Sequence, residues 1–343
     1  MSEKIATKNP LVSIVVLNWN GLVYLEKCLQ SLQFLKYPNC EIIVVDNGSS
    51  DGSPEMVKEN FKNIQLIINN SNLGFAKGSN VGIKASKGDL VVLLNNDMVV
   101  DPCWLSELVK ATLVSPRIGM TSGIVLQREP FDVVSEAGKK MDVFTGNTWR
   151  VGYGDKYSQL KKVDDIDYFS GGALLVRREV IRKIGLLDEG YFFTSEDADW
   201  SFCARRAGFD FALAPLALVW HEGSATRKRV PKTGYYWHNR SAFRLYFIHF
   251  PIVFLFTSVF FRIVISSLLE TLVLKRQLQY ISLRIAAFGH TLLDLQEIMK
   301  ARRKVNRLGK LALKIRLEEL LKVGRIDGIA FSRGSSTRVR EVQ

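Results

Sequence analysis

The run DLVVLLNND (Asp89–Asp97) passes from continuous apolar residues into two amides, Asn95 and Asn96, and a carboxylate. Leu90–Leu94 reads as a strand buried on both faces. The first residues beyond such a strand sit on the rim where open α/β sheets bind ligands. Asp97 there is a hard oxygen ligand, suited to Mg2+ or Mn2+ held against phosphate oxygens, while Asp101, ahead of Pro102, is the better helix cap. A second carboxylate, Asp46, follows the apolar run EIIVV and opens DNGSSDGS. It suits either hydrogen bonding to a nucleobase or ribose, or a plain Asx turn. Glu196-Asp197-Ala198-Asp199 places three carboxylates within four residues at the start of a helical pattern. Acids favour a first turn through the helix dipole, but capping does not need three. Asp197 facing a cleft would serve as a general base, with Glu196 or Asp199 pairing with Arg205 or Arg206 to position it or an acceptor. His221 ends the apolar stretch Leu213–Trp220. Taken singly it reads as structural; beside Asp97 it reads as a second metal ligand.

The elements that must carry these residues alternate. Strands are expected at Leu11–Leu17, Glu41–Val45, Ile64–Ile68 and Leu90–Leu94, with helices at Val23–Leu35, Pro54–Phe61 (Ser53 as N-cap) and Gly74–Ala85. That alternation implies a parallel, three-layer α/β sheet. Three of the four strands end in Asn/Asp/Gly-rich turns, which puts those turns on one rim. Asn72–Asn80 (NLGFAKGSN) is glycine-rich and enters a helix, where backbone N–H groups favour phosphate; it is neither a P-loop nor GxGxxG. Residues 120–170 read as strands and loops flanking the site. Gly171-Gly172 precedes a strand passing into a short helix, and Glu196–Ala207 is a helix.

The 343 residues carry a formal charge of +13, unevenly placed. From Arg227 to the C-terminus, 23 Lys/Arg stand against 7 Asp/Glu, a net of +16, which leaves −3 on residues 1–226. Cys28, Cys40, Cys103 and Cys203 form no CxxC pair, so they read as reduced packing residues. MSEKIATKNP lacks a signal-peptide core, and a cytoplasmic catalytic part is expected. Leu245–Leu274 is strongly apolar but broken by His249, Pro251, Arg262 and Glu270, with 12 residues, Phe250–Phe261, as its longest unbroken portion. A span needs about 20 residues. With basic helical segments such as Lys300–Lys322 following, the expectation is a helix or helix pair lying on an anionic membrane surface. The division expected is a catalytic domain over 1–234 and an apolar, basic, membrane-associating region over 235–343.

As a set, VSIVVLNWNG (Val12–Gly21), VVDNGSSDGS (Val44–Ser53), NLGFAKGSNVG (Asn72–Gly82), LLNNDMVVDP (Leu93–Pro102), the segment Gly171–Phe209 and VWHEG (Val219–Gly223) resemble family 2 glycosyltransferases, the inverting enzymes with the GT-A fold. Among them the chain looks most like bacterial rhamnosyltransferase-type members that build surface polysaccharides. The resemblance implies that Asp46 contacts the nucleotide base and that Asn18, Asn20 and Asn80 line the nucleotide pocket, with Asn95 and Asn96 beside the donor. It implies Asp97 and His221 as ligands of Mg2+ or Mn2+ and Asp197 as catalytic base. Gly171, Gly172, Glu196 and Asp199 fall where base and acceptor are positioned. Asn95 departs from the family, which often has a first Asp there. The partners implied are a dTDP- or UDP-sugar, a glycan or polyprenyl-linked acceptor, and the anionic inner leaflet, with the chain peripheral or monotopic on the cytoplasmic side of the plasma membrane. Two other readings stand beside this one. A nucleotidyltransferase usually has a glycine- and basic-rich N-terminal loop, which Leu17–Gly21 lacks, and a catalytically inactive membrane adaptor has no need of Asp97, Asp197 and His221. Nucleic-acid binding is not expected, because the basic tail carries no recognisable motif for it.

Overall fold

The computed structural model describes residues 9–163, 165–222, 231–272 and 278–316. Gly223, the end of the expected apolar stretch at residues 273–274, and the part of the expected basic helix beyond residue 316 lie outside them. The chain begins β1 (Val12–Asn18), α1 (Leu22–Leu32), β2 (Cys40–Asp46), α2 (Ser53–Asn60), β3 (Gln65–Ile68), α3 (Gly74–Ala85), β4 (Leu90–Asn95). Side chains of β1 divide by the period of two expected of a strand. Val12, Ile14 and Val16 enter the core under α1 and α2, and Val15 enters the core under α3. With helices on both faces there is no solvent side, hence the unbroken apolar runs.

After β4 come β5 (Met98–Val100), α4 (Trp104–Leu113), β6 (Ile118–Gln127), β7 (Val134–Glu136), the hairpin β8 (Lys139–Met141) and β9 (Thr148–Arg150), β10 (Ala173–Arg177), α5 (Arg178–Ile184), α6 (Glu196–Arg206) and β11 (Asp210–His221). The sheet order is β3-β2-β1-β4-β10-β6-β11-β5, with β7 on the side of β6. The β3-β2-β1-β4 block is parallel, but β10 lies antiparallel between β4 and β6. That reversal brings the start of β10, Gly171-Gly172, to the rim where β1, β2 and β4 end. Two caps differ from expectation. Gly52, at φ 85°, precedes α2, and Ser53 inside it donates instead to Asp51 at 2.5 Å. Asp101 accepts from Cys103 N–H at 2.7 Å in a turn ahead of α4, without capping the helix by its side chain.

The C-terminal part is helical: α7 (Pro231–His249), α8 (Ile252–Phe260), a π-helical turn (Phe261–Ile265), α9 (Ser266–Leu272), α10 (Gln279–Leu293) and α11 (Leu295–Asn306). Phe243 and Tyr246 of α7, and Phe250 just beyond it, are buried in the same core as Val15 and Val45. His249 and Pro251 do end one helix and open the next. Arg262 and Glu270 do not interrupt the second, which corrects the expectation that polar residues cut the apolar stretch short. Ile252–Leu272 runs 21 residues, and among the described residues it is the one helix long and apolar enough to cross a membrane. The π turn rewinds the helix around Arg262 without breaking it. Arg262 turns inward, donating to Asn239 Oδ1 at 3.0 Å and to the Tyr246 hydroxyl at 3.0 Å. Buried Arg284 of α10 holds Glu270 at 2.6 Å and Ser267 at 2.7 Å. The opposite face exposes Phe256, Phe260, Leu268 and Leu272, four residues or multiples of four apart. The expected basic helix is also shorter, since α11 ends at Asn306 and Lys314 instead bridges to Asp142 beside the β8–β9 hairpin.

Candidate active site

Register builds the site. Parallel pairing sets Asn18 opposite Asp46 and Leu17 opposite Asn95, so three strand ends deliver polar residues at one level. Asn18 and Asp46 are fully buried. Asn18 Nδ2 donates to Asp46 Oδ2 at 2.8 Å, and Asn96 Nδ2 donates to Asn18 Oδ1 at 2.6 Å. Ser49 closes an Asx turn on Asp46, its backbone N–H on Oδ1 and its hydroxyl on Oδ2, both at 2.7 Å. Asn20, at φ 48°, donates its N–H to Ser49 Oγ at 2.8 Å and accepts from Ser50 N–H at 2.8 Å. The Asx-turn reading of Asp46 therefore holds, and the turn keeps its carboxylate at the end of β2. Asn80 lies deeper. Its amide donates to Leu187 O at 2.9 Å and Glu189 Oε1 at 3.1 Å and accepts from Leu187 N–H, bracing the loop ahead of α6.

On the other side of the rim, β11 pairs with β5 so that His221 faces Met98. His221 Nε2 then lies 3.1 Å from Asp97 Oδ2, while Asp97 Oδ1 is buried and without a partner. An unpaired carboxylate oxygen beside an imidazole is a donor set that fits a divalent cation. Asn95 N–H donates to Gly172 O at 2.8 Å, and a side chain on Gly172 would press on the Asn95 amide. Gly171 N–H donates to Asp197 Oδ2 at 3.2 Å, and Ala198 N–H to Oδ1 at 2.8 Å. Asp197 stays partly open to solvent while Glu196 and Asp199 on either side are buried.

Two residues ahead of Glu196 carry the aim of this helix. Thr194 (φ 65°) and Ser195 (φ 69°) are both left-handed, a conformation that costs non-glycine residues about 1–3 kcal/mol each and persists only where the surroundings enforce it. Asp199 reaches away from the rim. It pairs with His249 of α7 at 2.8 Å and accepts from the Tyr191 hydroxyl at 3.3 Å, not from Arg205 or Arg206. Those arginines instead bind backbone carbonyls of Asp167 and Gly309, at 3.0 and 2.9 Å. Asp199, Cys203 and His249 bring ligand atoms within 4.8 Å of one another. Burial, and after it the Asp199 charge, hold the Cys203 thiol well above its usual range, so no thiolate is offered, and the trio joins α6 to α7.

Burial, reinforced by the Asp197 charge, holds Glu196 well above the ordinary carboxylate range. A carboxyl raised in the folded state contributes its full stability below its unfolded value, near 4.5, and loses it as pH climbs toward the folded value. Glu196→Gln has no such proton to lose. Relative to wild type, its Tm is expected to rise as pH climbs above the unfolded value; a difference that does not change with pH would overturn the buried-neutral assignment.

Several site residues carried no signal alone. Asn47 links Asn69, Asn72 and Gly74 O by its buried amide. Glu222, one residue past His221, pairs with Arg128 and with Lys27 at 3.5 Å. Arg128 sits in the irregular segment, where no periodicity singles it out; Ser49 was legible as an Asx-turn residue but not as the support of Asp46.

The fold has known counterparts. Residues 13–185 match the model of the family "Glycosyl transferase family 2". The chain belongs to that family and is a glycosyltransferase of the GT-A fold. It is 25% identical over 258 residues to N-acetylglucosaminyl-diphospho-decaprenol L-rhamnosyltransferase of Mycobacterium tuberculosis, covering 68% of this chain and 83% of that protein. It is 26% identical over 217 residues to glycosyltransferase AglE of Haloferax volcanii, covering 62% and 67%. Among solved structures, Staphylococcus aureus TarS 1–349 in complex with UDP-GlcNAc superposes with a TM-score of 0.54 at 15% identity, over 87% of this chain and 88% of that one. The mannosyltransferase PcManGT of Pyrobaculum calidifontis, in complex with GDP-Man and Mn2+, gives 0.52 at 16% identity, over 88% and 86%.

Proposed function

We propose that the chain transfers a sugar, with rhamnose as the leading candidate, from a dTDP- or UDP-sugar to a polyprenyl-diphosphate-linked acceptor, inverting the anomeric centre. The observation that carries this reading is the convergence of Asp46, Asp97 with His221, and Asp197 on one rim. Asp46, held by Asn18 and Ser49, receives the nucleoside. Asp97 and His221 would hold a divalent cation, which when bound would supply positive charge against the leaving diphosphate. Asp197, oriented by the Gly171 and Ala198 N–H groups, takes the proton from the acceptor hydroxyl as that oxygen attacks the anomeric carbon. No side chain forms a covalent bond to the sugar, so a single displacement inverts configuration. The mycobacterial relative, named for rhamnosyl transfer to a decaprenyl-diphosphate sugar, supports the donor and acceptor class.

The same reading seats the protein on the membrane rather than through it. Ile252–Leu272 is long enough to span, but Arg262 and Glu270 on its inner face are bound to Asn239, Tyr246 and Arg284 of the protein body. Breaking a buried ion pair by exposing one partner costs about 3–5 kcal/mol, which favours keeping that face packed and offering only the exposed apolar strip to lipid. One experiment tests both parts. Vesicles of anionic phospholipid carrying a polyprenyl-diphosphate-linked sugar are mixed with labelled nucleotide sugar. Label should enter the pelleted lipid with one nucleoside diphosphate released per transfer, and Phe256→Glu/Phe260→Glu should no longer pellet with the vesicles. Release of pyrophosphate would instead mark a nucleotidyltransferase, and pelleting unchanged in the double variant would remove the strip from the membrane contact.

A further inference from the structure

Gly171 and Gly172 turn opposite ways at the start of β10. A methyl built on Gly172 would lie 3.0 Å from the Asn95 amide and 3.0 Å from Met98 Cε, and Met98 is the register partner of His221. A methyl built on Gly171 would lie 3.4 Å from the Phe75 ring and 3.5 Å from Asp197 Cβ. The glycine pair thus divides the site: Asn95 and Met98 on one side, Asp197 and the Phe75 ring together on the other. Phe75 does not stand alone. Its backbone N–H donates to Phe192 O at 2.9 Å, and Phe192 lies so close to Gly74 that a methyl there would meet its ring Cδ2 at 2.8 Å. Phe192 in turn meets Trp237 of α7, with ring centroids 4.8 Å apart. All three aromatics are partly buried, and among the described residues none of them joins a packed core.

Aromatic side chains gain most from full burial, so a row of them left partly open beside a base marks a surface that a ligand covers. Polar groups edge the row. Thr194 Oγ1 lies 3.3 Å from His238 Nδ1, and the Arg240 guanidinium sits 5.1 Å from the Trp237 ring. Flat apolar faces with a few hydrogen-bonding groups at their edge match a pyranose. Its ring C–H hydrogens, slightly positive, form an apolar face that meets the negative face of a π system, and its hydroxyls project outward to the polar edge. The nucleoside and its diphosphate already have places at Asp46 and Asp97, so the sugar that shares a side with Asp197 is the acceptor's. We propose that Phe75, Phe192 and Trp237 form the platform on which the acceptor sugar stacks, with Phe75 against the ring whose hydroxyl meets Asp197. The assignment rests on the reading of Asp197 as the base given above. At its far end the row reaches α7, the helix directly ahead of the exposed apolar strip, which is the side from which a lipid-linked sugar would enter.

The test uses the full chain in detergent with UDP saturating the donor site. N-acetylglucosamine joined through a diphosphate to farnesol is the probe, and farnesyl diphosphate, which lacks the sugar, is the reference. Wild type should bind the sugar-bearing probe about three- to tenfold more tightly, the worth of a stacked ring. That difference should not change with salt, since the rings carry no charge. Phe75→Leu keeps apolar bulk and removes the π face, and the hydrogen bond to Phe192 O comes from the backbone and survives. This variant should lose the difference between the two probes, with farnesyl diphosphate and UDP affinities within about twofold of wild type. Phe75→Tyr should restore it, and Trp237→Leu should weaken the sugar-bearing probe in the same direction. In transfer assays the Phe75→Leu effect should appear in the acceptor KM and not in the donor KM. A difference retained in Phe75→Leu overturns the proposal. So does equal binding of both probes by wild type, which would make the row a lipid contact, or a parallel loss of UDP affinity in Phe75→Leu, which would make Phe75 structural. Asp197→Asn keeps the two readings apart. Turnover retained in that variant counts against the base, whereas turnover lost there with the probe difference intact in Phe75→Leu counts against the platform alone.

Discussion

Asp197→Asn is expected to fold, to bind nucleotide as wild type does, and to lose about 100- to 10,000-fold in transfer rate, the usual worth of a positioned general base. The substitution keeps the shape of the side chain. Its remaining oxygen still accepts from Gly171 or Ala198 N–H, and the partly open position leaves little packing to disturb. What it removes is the basicity that the proposed mechanism needs at this side chain. The loss should therefore appear in kcat with the donor KM nearly unchanged. Asp199→Asn gives the contrast, because Asp199 is buried against His249 and Tyr191. Its substitution should lower Tm and move kcat far less. Nucleoside diphosphate release, counted against acceptor product, measures both variants. Turnover of Asp197→Asn within about threefold of wild type would remove Asp197 from the base role.

The comparison of these two neighbours shows what the sequence carried. β1 to β4 and the turns that end them were legible because strands buried on both faces produce unbroken apolar runs, and a rim position follows from the alternation of elements. Asp46, Asp97 and Asn95 were found that way. The antiparallel insertion of β10 was not, because pairing direction leaves no mark on a five-residue strand; yet it is what brings Gly171 to Asp197. The division of labour between Asp197 and Asp199 was equally hidden. Two residues apart on a helix they point in different directions, and only the approach of α7, with His249 some 50 positions later, decides which is buried. Arg262 misled for the same reason. Read along the chain it breaks an apolar run, but Asn239 and Tyr246 on the preceding helix accept its hydrogen bonds and the run stays helical.

Asp97→Asn should weaken Mn2+ binding by about 100-fold or more, and His221→Gln by about tenfold, since even groups that only support a metal ligand cost 10- to 100-fold when removed. Asn95 leaves Asp97 as the single carboxylate at the end of β4, so His221 becomes the natural second ligand, and both residues should register. The same substitution should act oppositely on the metal-free protein. Asp97 Oδ1 is buried with no partner, an arrangement that costs about 1–3 kcal/mol. An amide in its place carries no charge and donates to His221 or nearby oxygens, so Asp97→Asn without Mn2+ should melt at or above the wild-type temperature. With UDP present throughout, Mn2+ at about 100 times its wild-type Kd should add about 2.7 kcal/mol to wild type and about 0.4 kcal/mol to the variant. Manganese bound in the presence of UDP, followed by the paramagnetic signal of the free ion, reports affinity independently of turnover. Equal Mn2+ affinity in wild type and Asp97→Asn would sink the assignment. The diphosphate would then fall to protein cations, and Arg128 and Lys27, which meet at Glu222 one residue beyond His221, would be the first to substitute.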